Sequence, residues 1–435
     1  MSRTTCTVFI LSLFATAFAS AQQPWIDNEL PQLVELYKEL HQSPELSFQE
    51  KQTSARMASL LRDSGFKVTE NIGGYGVAGV LVNGDGPVVL VRADTDALPV
   101  VENTGLSYAS QVRAIEQDGH EVGVMHACGH DVHMTVWSGV AAFMAQNKDR
   151  WSGTLLFIAQ PAEERGAGSA AMLADGLYQK TVTPDYALAL HVTGTLPVGS
   201  VALCEGFALA NVDSVNITVR GKGGHGSTPE VTHDPIMLAA RIIVGLQTIV
   251  SREISPFDPA VVTVGSIHGG SKHNIISDRV DLQLTVRSYK SAVRNKVLAA
   301  IERCAVGEAR AAGFPEDLLP IVELLDEHTP AAYNDPEFTK RMASAMKSML
   351  GESRVHEAPP VMGGEDFGRF GPAANCPSSI FWLGVSNKEM YQESILNGTA
   401  LPNIHSDKFA PSPSGAIRTG VLAMTAAVLD LLPVK

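Results

Sequence analysis

No run of lysine or arginine occurs anywhere in the chain, and the formal net charge is −13. A groove for a polyanion is therefore excluded, and no nucleic-acid partner is expected. Cysteine is scarce, 5 in 435 residues, and widely spaced, so a disulfide scaffold is excluded as well. There are no internal repeats and no low-complexity linker. Charged residues make up 18% and hydrophobic ones 45%, the balance of a globular chain and not of a disordered one. At 435 residues the chain exceeds one ordinary core, and two domains are expected.

The N-terminus reads as a secretory leader. Arg3 gives a short positive region, Val8 to Phe18 is an apolar run shorter than the ~20 residues that span a bilayer, and Ala19-Ser20-Ala21 is a small-x-small cleavage site. Residues 1–21 are thus expected to be removed, leaving a secreted or periplasmic chain from Gln22. No later segment is expected to reach membrane-spanning length. Four cysteines remain after the leader, and a thiol kept outside the cytoplasm needs a reason, such as a metal.

Leu33, Leu36, Tyr37 and Leu40 fall at helical spacing, with Pro31 suited to a first turn. A second helix is expected over 52–64. Apolar strands at 77–82, 88–91, 154–159 and 186–190 then alternate with helices, one of them over 132–146. This pattern predicts an α/β domain with a mostly parallel central sheet and flanking helices. From about 211 the order becomes β-α-β-β-α-β, the ferredoxin-like α+β unit. The expected organisation is a catalytic domain of 22–210 and 326–435, with a domain of 211–325 inserted. Helices at 336–350 and 414–432 complete the first domain.

Polar residues gather where its strands end: Asp94-Thr95-Asp96, Pro161-Ala162-Glu163-Glu164 and His191. Ligands of open α/β sheets collect at that edge. The densest segment is Met125-His126-Ala127-Cys128-Gly129-His130-Asp131-Val132-His133. Cys128, His130, Glu164 and His191 make a mixed S/N/O set suited to Zn, Mn, Co or Ni. Adjacent Glu163 and Glu164 repel each other unless a cation neutralises one. One of the pair would bind the metal while the other takes a proton from an attacking water. Asp94 and Asp96 share a strand face, and one of them would orient a ligating imidazole. In Gly221-Lys222-Gly223-Gly224-His225-Gly226-Ser227 the glycines free the backbone to approach a ligand, and His225 reads as a donor to a developing oxyanion. Arg287 ends a strand, where it clamps a substrate carboxylate or joins an ordinary ion pair.

These residues resemble those of the amidohydrolase branch of the aminoacylase/carboxypeptidase metallopeptidase family, which includes hippurate hydrolases and plant indole-acetyl-amino-acid hydrolases. The resemblance rests on His41-Gln42-Ser43-Pro44-Glu45-Leu46-Ser47-Phe48-Gln49-Glu50, Arg92-Ala93-Asp94-Thr95-Asp96-Ala97-Leu98-Pro99 and Met125-His126-Ala127-Cys128-Gly129-His130-Asp131. It continues through Gln160-Pro161-Ala162-Glu163-Glu164, Gly223-Gly224-His225-Gly226-Ser227-Thr228-Pro229, Met362-Gly363-Gly364-Glu365-Asp366-Phe367 and Asn403-Ile404-His405-Ser406. The order of these stretches matches the family and covers nearly the whole chain after the leader.

The resemblance implies two divalent metal ions (Zn, Mn, Ni or Co) and an inserted lid that often serves for dimerisation. It implies Cys128, His130, Glu164, His191 and His405 as ligands, Glu163 as general base and Asp96 as orienter. His225 is implied to complete the site from the lid, often from the partner subunit. Asn274 and Arg287 match lid positions tied to substrate, and Gly363 and Gly364 would lie along the substrate channel. The peptidase branches carry His at the place of Asp94 and Asp near that of Cys128, so a thiolate would replace a bridging carboxylate here. The implied activity is hydrolysis of N-acyl amino acids or small amides. A dipeptidase or carboxypeptidase is the alternative within enzymes, and a non-catalytic binder of acylated amino acids the alternative outside them.

Overall fold

The computed structural model describes residues 6–434. Arg3, part of the expected leader, lies outside the described residues. In chain order, α1 (Cys6–Gln42) and α2 (Lys51–Asp63) precede β1 (Lys67–Ile72), β2 (Gly76–Asn83) and β3 (Val88–Asp94). Then come α3 (His130–Gln146), β4 (Gly153–Gln160), β5 (Tyr186–Pro197) and β6 (Val201–Leu203). An interrupting stretch holds β7 (Asn211–Arg220), α4 (Pro235–Thr248), β8 (Ala260–Gly269), β9 (Arg279–Ser288), α5 (Ser291–Ala311) and β10 (Ile321–Thr329). The chain closes with α6 (Pro336–Leu350), β11 (Val355–Glu357), β12 (Ser378–Ser386) and α7 (Pro413–Leu431).

Two compact units result. The first comprises 1–208, 333–359 and 366–435; the second comprises 209–332 and 360–365. The first unit carries an eight-stranded sheet in the order β1-β2-β4-β3-β5-β12-β6-β11. Its centre is parallel, with β3 between β4 and β5, and β12 beside β5. The central part is thus mostly parallel, as expected, and antiparallel pairs (β1 with β2, β2 with β4, β12 with β6) border it, which makes the whole sheet mixed. The reason lies in the connections: β1 returns to β2 through a short turn, which only an antiparallel pair can use.

The central strands are continuous apolar runs because both of their faces are covered. Helix α3 is buried almost all round, packed among β3, α1 and α7. Trp137 fixes its rotation by donating from Nε1 to the Val91 carbonyl at 3.1 Å. Helix α1 is continuous from Cys6 to Gln42, with Pro31 inside it and not in its first turn. The proline forfeits one backbone bond. Burial of Leu33, Leu36, Tyr37 and Leu40 along the same face offsets that loss.

In the second unit the four-stranded sheet runs β8-β9-β7-β10, all antiparallel. Strand β7 alternates buried and half-buried residues. Its inner face (Val215, Ile217, Val219) shares a core with Leu238, Ile242 and Leu246 of α4 and with Val297 and Ile301 of α5. Asp234 caps α4 by accepting from the N–H groups of Ile236 and Met237. Together β7, α4, β8, β9, α5 and β10 make the β-α-β-β-α-β order.

Contrary to the expectation from sequence, two helical stretches, Pro235–Glu253 and Pro413–Leu431, are long and apolar enough to cross a membrane by length and composition alone. The apolar window of the second is 72% buried inside the fold. That is the ordinary state of a central core helix.

Candidate metal centre

Strands β4, β3 and β5 run parallel side by side, so their carboxyl ends share one edge. Asp94 pairs with Gln160, and Arg92 with Ala189, which brings Asp94 level with His191 two residues on. Glu163 and Glu164 follow β4 directly. Cys128 and His130 arrive at the start of α3, through Gly129 at φ 77°. A Cβ on Gly129 would meet Val192 Cγ2 at 2.6 Å, so the approach of this loop to β5 requires glycine. His405 comes from just before α7. Its backbone is also left-handed, at φ 67°, and its N–H donates to the Ala127 carbonyl at 2.8 Å. That bond ties the distant segment to the Cys128 loop.

Ligand atoms of Cys128, His130 and His191 lie within 4.8 Å of one another, as do those of Cys128, Glu164 and His405, and those of His130, Glu163 and Glu164. Cys128 Sγ stands 3.5 Å from His191 Nε2. His405 Nε2 stands 3.5 Å from Glu164 Oε2. All five residues implied as ligands, and Glu163, thus converge. The His405 side chain is 55% exposed while Glu164 is 9% exposed, so the centre opens to solvent on the His405 side.

The hydrogen bonds around the imidazoles set their tautomers. His130 Nδ1 donates to the Asp96 carbonyl at 2.8 Å, and His191 Nδ1 donates to the Val192 carbonyl at 2.8 Å. Both rings therefore turn Nε2 toward the cluster. Of the buried side-chain atoms there, His130 Nε2 and Glu164 Oε1 have no hydrogen-bond partner. Such orphaned atoms are costly unless something else satisfies them. His133 differs. Its Nε2 accepts the Val192 N–H at 2.9 Å, and its Nδ1 donates to Asp94 Oδ1 at 2.6 Å. Both nitrogens are occupied, so this histidine braces β5 and is no ligand, although it belongs to a compact Asp94–His130–His133 group.

Charge supports a cation. Asp94 Oδ2, Glu163 Oε2 and Glu164 Oε1 lie 3.7–3.8 Å from His130 Nε2, and Asp96 Oδ1 lies 3.3 Å from His130 Nδ1. Burial works against a charged His130, but Asp94, Asp96 and Glu164 raise it to about 10. Burial, with the charges of Glu164 and Glu163, pushes the Cys128 thiol well above its usual range. Burial also lifts Glu164 to about 7. Without a metal the cluster thus retains protons that a divalent ion would displace. The donor set of one sulfur, three imidazoles and carboxylates fits a borderline transition metal.

Asp96 lies one layer out. Its Oδ2 accepts from Ser47 Oγ at 2.6 Å and from the Glu164 N–H at 3.0 Å. Burial opposes its ionisation, yet these bonds and His130 hold it below the usual carboxylate range. It thereby fixes both the His130 ring and the Glu164 backbone. Asp94 is equally committed: Oδ2 accepts from Arg92 Nη1 at 2.6 Å. Arg92 reaches on to Gln160 and to Asp366, which in turn accepts the Ser169 N–H.

Motif reading did not assign Arg92, Asp366, Ser47, Glu50 or His41 a role, although each sits in a matching stretch. His41 bridges Asp131 Oδ2 at 2.6 Å and Glu102 Oε1 at 3.1 Å. It thus clamps the start of α3 to the loop after β3. The visible signal was the occurrence of polar residues at positions that fold into a core. His126 is buried, with neither ring nitrogen hydrogen-bonded, and burial lowers it to about 4.

The remaining candidates belong to the second unit. His225 is exposed, and its Nδ1 accepts from the Ser227 N–H at 3.1 Å, which leaves Nε2 as the N–H donor. Exposed Asn274 accepts the Gly226 N–H through its backbone at 2.9 Å. Arg287 Nη1 donates to the Met362 carbonyl at 2.8 Å, so part of its guanidinium is used within the unit. Gly363 accepts the Ala210 N–H at 2.9 Å, and a Cβ on Gly364 would meet Val212 Cγ2 at 2.6 Å.

Comparison with known proteins supports metal binding. Residues 90–395 match the model of peptidase family M20/M25/M40. The chain is 35% identical to thermostable carboxypeptidase 1 of Saccharolobus solfataricus over 395 residues, covering 90% of this chain and 93% of that one. It is 36% identical to N-acetyl-L-cysteine deacetylase of Bacillus subtilis over 356 residues, covering 81% and 80%. Its fold matches the crystal structure of the Bacillus subtilis YXEP protein, a dinuclear metal binding peptidase from the M20 family. The TM-score is 0.72 at 29% identity, covering 92% of this chain and 98% of that one. The chain belongs to peptidase family M20/M25/M40 and is a metal-dependent hydrolase of carbon–nitrogen bonds.

Proposed function

We propose that this chain is an exported amidohydrolase that cleaves N-acyl amino acids or related small amides at a dinuclear metal centre. The observation that carries the reading is the convergence of Cys128, His130, Glu164, His191 and His405 around one edge, with Glu163 beside them. In this proposal those five hold two ions of Zn, Mn, Ni or Co. Such ions, when bound, polarise the amide carbonyl and make water a nucleophile at neutral pH.

The protein's own residues do the rest. Glu163 takes the proton from the attacking water and passes it to the leaving amine. Asp96 keeps His130 and Glu164 in place. His225 donates from Nε2 to the developing oxyanion, which suits the tautomer held by Ser227. Its unit acts as a lid and as the contact surface of a homodimer. Asn274 and Arg287 hold the substrate carboxylate, and Gly363 and Gly364 leave room for its chain.

Similarity to deacetylases and to a carboxypeptidase supports amide hydrolysis of small acylated substrates, and the carboxypeptidase relatives keep an exopeptidase as the second reading. A product screen of the metal-loaded protein against N-acyl amino acids and dipeptides separates the two. Glu163→Ala tests the mechanism, and full retained turnover would end it. N-terminal sequencing of the secreted or periplasmic fraction tests export, with Gln22 expected as the first residue.

A further inference from the structure

The stretch His41 to Glu50 ends on a carboxyl that no step above uses. Glu50 is fully buried, at the N-terminal boundary of α2. Its Oε1 accepts the Ala162 N–H at 2.8 Å, and its Oε2 is buried without a partner. Ala162 immediately precedes Glu163 and Glu164, and it adopts a left-handed backbone at φ 51°. A non-glycine residue there is strained and persists only if its surroundings hold it. The rest of the turn is tied down as well. The Ala162 carbonyl accepts from the N–H groups of Ala167 and Gly168. Gly168 has no room for any side chain, since a Cβ would meet the Pro161 carbonyl oxygen at 1.5 Å. Three residues before Glu50, Ser47 donates to Asp96, which holds the Glu164 N–H. One short segment thus grips the Glu163–Glu164 turn at both ends.

We propose that Glu50 is a positioning residue for the two glutamates: by holding the Ala162 amide it keeps the strained turn that aims Glu163 and Glu164 at the same centre. Removing its oxygen orphans a buried N–H and releases the strain, and the turn then relaxes away from the centre. Burial and the nearby charge of Asp96 raise Glu50 to about 8. A neutral acceptor therefore suffices, and glutamine supplies the same carbonyl oxygen. This inference rests on the assignment of Glu164 to metal and Glu163 to proton transfer, so its test includes an arm that needs no substrate.

The experiment compares Glu50→Leu and Glu50→Gln with the parent chain. Affinity for Mn²⁺ alone is measured by calorimetry on metal-free protein, kcat and KM on an N-acetyl amino acid, and melting temperature without metal. Loss of a group that orients a ligand costs roughly 10–100-fold in metal affinity or activity. Glu50→Leu is expected to lose about that much in Mn²⁺ affinity and in kcat, with KM changed by less than about threefold. Glu50→Gln is expected to stay within about threefold of the parent in all three. A Glu50→Leu protein that folds and binds Mn²⁺ like the parent overturns the proposal. So does a Glu50→Gln as impaired as the leucine variant, because the charge would then be what matters. If Glu50→Leu does not fold, the glutamine variant and Ser47→Ala, which loosens the other end of the turn, decide the matter. A parent without hydrolysis of N-acetyl amino acids refutes the proposed substrate, while the Mn²⁺ arm still judges Glu50.

Discussion

Replacing His41 with leucine is expected to destabilise the first unit by an amount that depends on pH. The imidazole sits between Asp131 and Glu102, and all three side chains are at most 1% exposed. Removing it leaves two buried carboxylates facing an apolar group. Breaking a buried pair in this way costs about 3–5 kcal/mol. The titration gives a second estimate. Burial pulls His41 down, but hydrogen bonds to Asp131 and Glu102 lift it from 6.5 to about 10. At 1.36 kcal/mol per pKa unit, this gap is worth about 5 kcal/mol at most. A raised folded-state pKa stabilises fully below the unfolded value, and the benefit disappears as pH climbs through the folded one. The difference between parent and His41→Leu in urea unfolding of metal-free protein should thus be largest near pH 6 and shrink steadily up to pH 10. A difference that stays flat over this range, or one below about 1 kcal/mol at pH 6, would refute the charged clamp.

Glu163→Gln should keep its metal and lose roughly 10²–10⁴ in kcat, the usual worth of a general base; metal analysis beside steady-state kinetics checks both parts. Metal binding should release protons from His130 and Cys128, so calorimetric heats near pH 7 should vary with the ionisation enthalpy of the buffer. Chelation should abolish hydrolysis, and metal returned at 100 times its Kd should add about 2.7 kcal/mol to stability, read as a shift in melting temperature. Asp96→Asn should weaken metal binding about 10–100-fold through the loosened His130 and Glu164, while an unchanged affinity would remove Asp96 from that role.

Much of the site was legible because parallel strands deliver their ends to one edge. Asp94, Glu163, Glu164 and His191 follow apolar runs, and this alone predicts their meeting. His405 was reachable only through resemblance. It stands in an irregular segment with no periodicity, where its backbone N–H bonds to Ala127. The resemblance names His130 and not His133 as a ligand, a division that spacing alone does not supply. His130 and His133 are neighbours on one helix, and only their second hydrogen bonds separate a ring with a free nitrogen from one with none. In the fold, β12 escapes pattern reading although it lies beside β5. Its Ser378–Ser386 stretch is buried at every position except half-buried Trp382, so it lacks the alternation that marks a half-exposed strand. Pro31 misleads for a related reason: local propensity favours a helix start there, and tertiary burial of α1 overrides it.

The bond between His405 and Ala127 has a consequence in time. The proposed donors run from Cys128 to His405, so no ribosome-bound fragment lacking the last stretch can offer a complete donor set. A complete centre therefore forms only once the last stretch has folded onto the first unit. The ion acquired is then chosen by whichever compartment hosts that final step, by local supply as much as by affinity. If the proposed export carries the chain across a membrane unfolded, this choice is made outside the cytoplasm, where its thiol meets metal and oxidant together.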